Sequence, residues 1–260
     1  MLFDSHCHLN HKPLIEKLPE ILTQAAFNHI NGFLVPATQA QDWELTIQLA
    51  ANHPQIYAAI GIHPWFVSSS NNANFTKLEQ LLHQNSQPLL GEIGLDFVRA
   101  RDQNSREQQI QCFELQLQIA NSIKRPIVVH HVHATSACLK SIKRCSFTHG
   151  GFAHAFSGSI EEAHEWIKYG FLIGIGSLLL HQQAKKVRIA AQTLPLQNIV
   201  IETDAPYMSP KTKQYNSPNN LIQIAKIIAN LRNIQWEEVA EITAANALTL
   251  LGNIPKPLKY

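Results

Sequence analysis

The sequence predicts an α/β protein of the (β/α)8, TIM-type barrel class, and three observations carry that prediction. Short apolar runs without polar alternation, the pattern of strands buried on both faces, recur eight times between segments of helical period. The alternation fills nearly all of the 260 residues, of which 45% are hydrophobic and 15% charged, an ordinary globular composition able to bury one large core. No GxGxxG follows the first run, so the rival open, doubly wound sheet lacks its main support.

In chain order the strand candidates are MLFD at 1–4, GFLVPA at 32–37, IYAAIGI at 56–62, PLLGEIGL at 88–95, PIVVH at 126–130, GFAHAF at 151–156, FLIGIG at 171–176 and NIVIET at 198–203. The polar stretch SSSNNAN at 68–74 reads as a loop. The clearest helix runs from about Ser105 to Ile123, where Ile110, Phe113, Leu117 and Ala120 recur at steps of three and four, and Pro126 prevents its continuation. Ser159 followed by Glu161 and Glu162 is a helix start with a hydroxyl cap and carboxylates at the positive dipole end. Lys185, Lys186 and Arg188 read as the wet face of a further helix, and two more, at about 218–231 and 236–251, close the chain. Nothing between 1 and 260 has the character of a domain linker, so one domain is expected.

A formal net charge of +2 is too small to announce a polyanionic partner, so any anion recognition must be local. The four cysteines, Cys7, Cys112, Cys138 and Cys145, form no CxxC pair and read as reduced thiols. Asp4 interrupts the N-terminus where a signal peptide would need an apolar run, and no stretch of about 20 apolar residues is present. The cytoplasm is the expected location, with no membrane association and no obligate protein partner.

In a barrel, chemistry collects just after the carboxyl ends of the strands. There the sequence places His6 and His8, His63, Glu92 with Asp96, His130, His154, and Glu202 with Asp204. Residues two apart on an extended segment share a face, so His6 and His8 can offer both imidazoles to one cation while Cys7 points away. A single buried histidine is most often a hydrogen-bonded core residue. Ligand-type side chains at six strand ends are much harder to obtain from packing alone, and Glu92, flanked by Leu89, Leu90, Ile93 and Leu95, would be costly to bury without a cation. Imidazole with carboxylate suits zinc, manganese or cobalt, and a carboxylate-rich side accepts magnesium. Glu92 is placed to bridge two metals and Asp204 to bind one and take a proton from water. Within HHVH, His130 shares the face of Val128 toward the barrel axis, whereas His131 and His133 have the opposite parity.

The motifs DSHCHLN at 4–10, GIHP at 61–64, GEIGLD at 91–96, HAFSGS at 154–159 and ETDAP at 202–206 resemble those of the TatD family of metal-dependent deoxyribonucleases. Arg106, Gln109, Phe113, Gln116 and Leu117 echo its RxxQxxxFxxQL pattern, and EEVAEITAANALTLLG matches its last helix. The resemblance spans nearly the whole chain in order and is closest to the YjjV-like branch. It implies an amidohydrolase-like barrel holding two divalent metals and an exonuclease acting on DNA, on single strands or 3′ ends. Carried over by position, His6, His8, Glu92 and Asp204 would hold one metal, and Glu92, His130 and His154 the other. His63 matches a family histidine that is not a ligand, leaving it a substrate contact, a supporting role, or a cap before Pro64.

Two departures concern anion contacts. His130–His131–Val132 stands where the family has His-Ser-Arg, and Tyr215–Asn216–Ser217–Pro218 stands where many relatives have Arg-Asn-Glu-Pro. Arg99 and Arg101 after the fourth strand, Lys211 and Lys213 after the eighth, and His131 are candidates to replace the lost contacts. Trp65, Phe66 and Phe97 are candidates to stack on bases. Against phosphodiester hydrolysis stand a hydrolase of amides or lactones on the same fold, and a catalytically weak metal-binding interaction protein.

Overall fold

The structure is a computed structural model and describes residues 1–86, 88–209 and 214–252. Eight parallel strands lie in the order β1 to β8: Leu2–Asp4, Ile30–Pro36, Ile56–Ile60, Leu89–Asp96, Ile127–Val132, Gly151–Ala153, Phe171–Ile175 and Ile199–Ile201. Ser5 N donates to Ile201 O at 3.0 Å and Asp204 N to His6 O at 2.8 Å, so the last strand meets the first and the barrel nearly closes. The helices alternating with and following the strands are α1 Leu18–Phe27, α2 Trp43–Asn52, α3 Asn72–Gln84, α4 Gln103–Ile123, α5 Thr135–Arg144, α6 Ile160–Lys168, α7 Lys185–Thr193, α8 Leu221–Arg232 and α9 Trp236–Gly252.

Strand parity separates two cores. Phe3, Leu34, Ala59, Leu89, Val128, Phe152 and Val200 fill the barrel interior, with Ala244, Ala247 and Leu251 of α9 packed against them. Their neighbours Leu2, Phe33, Ala58, Leu90, Val129, Ala153 and Ile201 face the helical ring. The interior is thus plugged by apolar side chains, and the polar residues of the strand ends are left at the opposite mouth.

Several differences from the predicted element bounds have a local cause. SSSNNAN is not a loop: a 3-10 turn, Pro64–Ser69, runs almost into α3, and Asn71 forms a reciprocal capping box with Asn74. α4 starts at Gln103 because the Asp102 carboxylate accepts Ser105 N at 2.9 Å. The sixth and eighth strands end three and two residues early, at Ala153 and Ile201, as the chain turns off to carry His154 and Glu202 into the mouth. α6 begins as expected, with Ser159 and Glu162 capping each other. Among the described residues no helix is long and apolar enough to cross a membrane.

Candidate metal centre

Glu92 lies within β4, and a glycine of that strand sets how closely β5 approaches it. Gly94 lies opposite His130 at a φ of 133°, and a Cβ there would come within 2.0 Å of His130 O, so only glycine lets β4 and β5 approach this closely. Two buried glutamines of α4 pin the neighbouring loops. Gln109 accepts Asp96 N at 2.8 Å and donates to Pro64 O at 3.2 Å; Gln116 accepts Ile62 N at 2.7 Å and donates to Ile62 O at 3.1 Å.

The Glu92 carboxylate, 3% exposed, spans two groups of imidazoles. Oε2 lies 3.2 Å from His6 Nε2 and 3.7 Å from His8 Nε2; Oε1 lies 2.8 Å from His130 Nδ1 and 3.4 Å from His63 Nε2. Burial raises the pKa of this carboxyl, but His63, His6 and the His130 hydrogen bond outweigh it and hold it well below the usual range. His6 and His8 present their Nε2 atoms 3.2 Å apart, and Asp204 Oδ1 lies 3.3 Å from His8 Nε2 and 3.9 Å from His6 Nε2. The structure therefore brings together His6, His8, Glu92 and Asp204, as the parity of HxH and the strand-end argument expect.

His63 Nδ1 accepts Trp65 N at 3.1 Å, the cap before Pro64 that the sequence suggests. That acceptor role puts the proton of the neutral ring on Nε2, which then donates to Glu92, so His63 orients the carboxylate rather than offering a free lone pair. His130 has carboxylates on both sides: Glu92 at Nδ1 and Asp96 Oδ2 at 3.4 Å from Nε2. Burial lowers its pKa, but the bonds to Asp96 and Glu92 raise it overall. Asp96 is itself held by Trp65 Nε1 at 2.6 Å and by the amides of Val98 and Arg99 at 3.0 Å.

His154, which the resemblance groups with His130 and Glu92, feels the Glu92 carboxylate and enters the site beside His6 and Asp204. The chain turns at Ala155, whose φ is 48° and whose N–H donates to Glu202 Oε1 at 2.6 Å. His154 Nδ1 then lies 2.8 Å from Glu202 Oε1, its Nε2 3.8 Å from Asp204 Oδ1, and its ring stacks 3.4 Å from that of His6. Burial lowers its pKa, but Glu202 and Asp204 raise it overall, to about 10. Below this layer Asp4 accepts Thr203 Oγ1 at 2.6 Å and Thr203 N at 2.9 Å; desolvation pushes its carboxyl up to about 8 despite those bonds.

The mouth opens into a cleft of about 740 Å³ lined by His8, His63, Glu92, His130, His154 and Asp204 together with Trp65, Phe66, Tyr207 and Met208. Of the candidate anion contacts, Arg99 stacks 4.3 Å above the Trp65 ring, and neither it nor Arg101 lines this cleft. Lys211 and Lys213 lie outside the described residues. His131 faces the helices, 5.1 Å from the Trp166 ring, and burial drives its pKa down to about 3. A group that sequence reasoning did not select also lines the cleft: His11 Nδ1 lies 2.9 Å from the Tyr207 hydroxyl and its Nε2 3.7 Å from Asp42. Its only signal was position, a few residues beyond the end of β1.

The residues fit bound cations. Ligand atoms of His6, His8 and Glu92, and of His6, His154 and Glu202, each lie within 4.8 Å of one another, and Glu92 and His130 lie within that distance of each other with His63 beside them. His6 Nε2 and His8 Nε2 converge on one point, while their Nδ1 atoms are buried and without partners, an arrangement awkward for imidazoles alone. A barrel with imidazoles and carboxylates converging at the carboxyl ends of its strands is that of a metal-dependent hydrolase. The family described as TatD related DNase matches residues 3–252, and this chain belongs to it. An uncharacterized metal-dependent hydrolase of Escherichia coli K12, YjjV, is 30% identical over 97% of this chain and 98% of its own length. Another of Bacillus subtilis, YabD, is 29% identical over 96% of this chain and 98% of its own. The crystal structure of YjjV superposes with a TM-score of 0.90 at 29% identity, covering 98% of each chain. A TatD family hydrolase of Entamoeba histolytica, 20% identical with a TM-score of 0.85, covers 96% of this chain and 98% of its own and shares the fold.

Proposed function

We propose that this hydrolase cleaves phosphodiester bonds in DNA, acting as an exonuclease on single strands and 3′ ends, with two divalent cations drawn from zinc, manganese, magnesium or cobalt. The observation that carries this reading is the Glu92 carboxylate, one oxygen facing His6 and His8 and the other His130. When bound, such a pair of cations polarises the phosphoryl oxygen and makes a water nucleophilic at neutral pH. His6, His8, Glu92 and Asp204 would hold one; Glu92 and His130 the other, with His154 presented from the Asp204 side.

The chain's own work is orientation and proton transfer. Asp204 takes the proton of the attacking water; its carboxyl is raised by burial but held low by His154 and His8, so it is an ionised acceptor at neutral pH. Glu202 and Asp96 fix the rings of His154 and His130 from behind, the carboxylate–histidine arrangement that sets tautomer and direction at metal sites. Trp65 and Tyr207, each 49% exposed at the cleft, supply aromatic surface for a terminal base.

The test is shortening of a labelled single-stranded oligonucleotide by purified protein with manganese or magnesium. His130→Ala is expected to abolish it while leaving the thermal transition intact, and undiminished cleavage would remove His130 from the second cation. Hydrolysis of lactones or cyclic amides without turnover of DNA would replace the nuclease reading. Absence of bound cation after reconstitution would replace the hydrolytic one.

A further inference from the structure

Beside the metal cleft lies a second, larger cavity of about 920 Å³, bounded by the start of α4, the length of α5 from Thr135 to Arg144, the first turn of α7 and the loop between β6 and α6. One end of it lies at the mouth of the barrel, where Ser157 lines both this cavity and the metal cleft, so the two spaces adjoin. We propose that this cavity holds phosphate groups of the nucleic-acid strand outside the bond being cut, a single-strand backbone site that extends the nuclease reading above and rests on it.

Charge is the first support. Arg106, Lys140, Arg144 and Lys186 line the cavity against one carboxylate, Glu162. Glu162 is engaged in capping α6, where it accepts Ser159 N at 2.8 Å, and Arg144 is engaged by Glu114. Arg106 is held by Nε donating to Ala100 O at 3.1 Å, with its guanidinium 4.8 Å from the Phe97 ring centre. Lys140 and Lys186 are exposed and make no ion pair among the described residues, leaving two mobile cations for an anion. The helix face on which the sequence places Lys186 is thus part of a cavity wall.

Helix geometry adds a second support. α5, ten residues long, begins at this cavity with Ala134 as its N-cap and no side-chain cap, so its positive dipole end and first amides have no carboxylate or hydroxyl serving them. His131, 8% exposed, lines the same cavity; its Nδ1 is 3.3 Å from Thr135 Oγ1, in the first turn of α5, and its Nε2 has no hydrogen-bond partner. A single-strand backbone suits this wall because its affinity comes from repeated phosphate contacts rather than base readout.

The experiment is charge reversal in the full chain with Lys140→Glu/Lys186→Glu, both at exposed positions. Binding of a 12-nucleotide single strand is measured in chelator across a salt series, and turnover of a dinucleotide with manganese is measured alongside. Expected are a dissociation constant about tenfold weaker and a log–log salt slope shallower by about 1.4, two phosphates at ~0.7 each, with dinucleotide turnover unchanged. Lys168→Glu/Lys226→Glu, away from the cavity, should leave the dissociation constant unchanged, since screening at physiological salt acts within about 8 Å. Unchanged 12-mer affinity in the Lys140/Lys186 variant overturns the site while wild-type cleavage leaves the nuclease reading standing. Equal losses on the dinucleotide, or in the control variant, overturn it as a separate site. Failure of the wild type to bind or cut any strand refutes the nuclease reading, and the site with it.

Discussion

Glu92 and Asp4 are carboxylates buried to the same degree, 3% and 0% exposed, in adjoining layers of one barrel mouth, yet their protons behave oppositely. Glu92 is ringed by His6, His63 and His130 and stays ionised; Asp4 has the Thr203 hydroxyl and amide with the His6 amide, and burial carries it to about 8. Burial by itself does not decide the charge of a strand-end acid. The partner does: an imidazole can share its proton or yield its place to a cation, whereas a hydroxyl and two amides only partly offset desolvation. The Glu92 layer is accordingly built for cations and the Asp4 layer for holding β1 against the loop after β8.

The sharpest way to break this contrast is Glu92→Gln, which keeps the shape and removes the charge between the two imidazole groups. We expect hydrolysis to fall by about 10³-fold or more and bound metal to drop, read by steady-state assay and elemental analysis. Retained stoichiometry would deny Glu92 the bridging place proposed for it. Next come the acids behind the rings: Asp96→Asn and Glu202→Gln should each weaken metal affinity by about 10–100-fold. A chelator competition that leaves both unchanged would reduce these contacts to packing.

Asp4→Asn tests the other layer. The folded pKa of Asp4 lies above its unfolded value of about 3.9, so its carboxyl favours the fold at low pH and loses that contribution as pH rises toward 8. In metal-free protein the melting temperature of Asp4→Asn should therefore gain on wild type between pH 5 and pH 8, and a constant difference would argue that Asp4 is ionised throughout. The smallest effect belongs far from both layers: Asp102→Ala removes the cap on α4 for about 1 kcal/mol of stability, with hydrolysis unchanged.

Much of this is legible in the amino-acid sequence. The period of the apolar runs places all eight strands, and two-residue parity correctly sends His130 inward with Val128 and His131 outward against Trp166. Asp96 and Glu202 stand in the sequence beside the residues chosen as ligands, but nothing local distinguishes an acid that would hold a metal from one that holds the ligand's far nitrogen. That distinction rests on distances across strands far apart in sequence, such as His130 to Asp96 and His154 to Glu202.

The sequence by itself determined the barrel, the strand ends that matter and the chemical type of the centre, because those follow from local periodicity and from the cost of burying polar groups. Only the tertiary structure decided which ring meets which carboxylate, that His63 turns its protonated nitrogen to Glu92, and that Lys140 and Lys186 share a cavity with the uncapped start of α5. Those facts depend on side chains delivered from separate strands and helices to one mouth, and spacing along the chain carries no measure of that convergence.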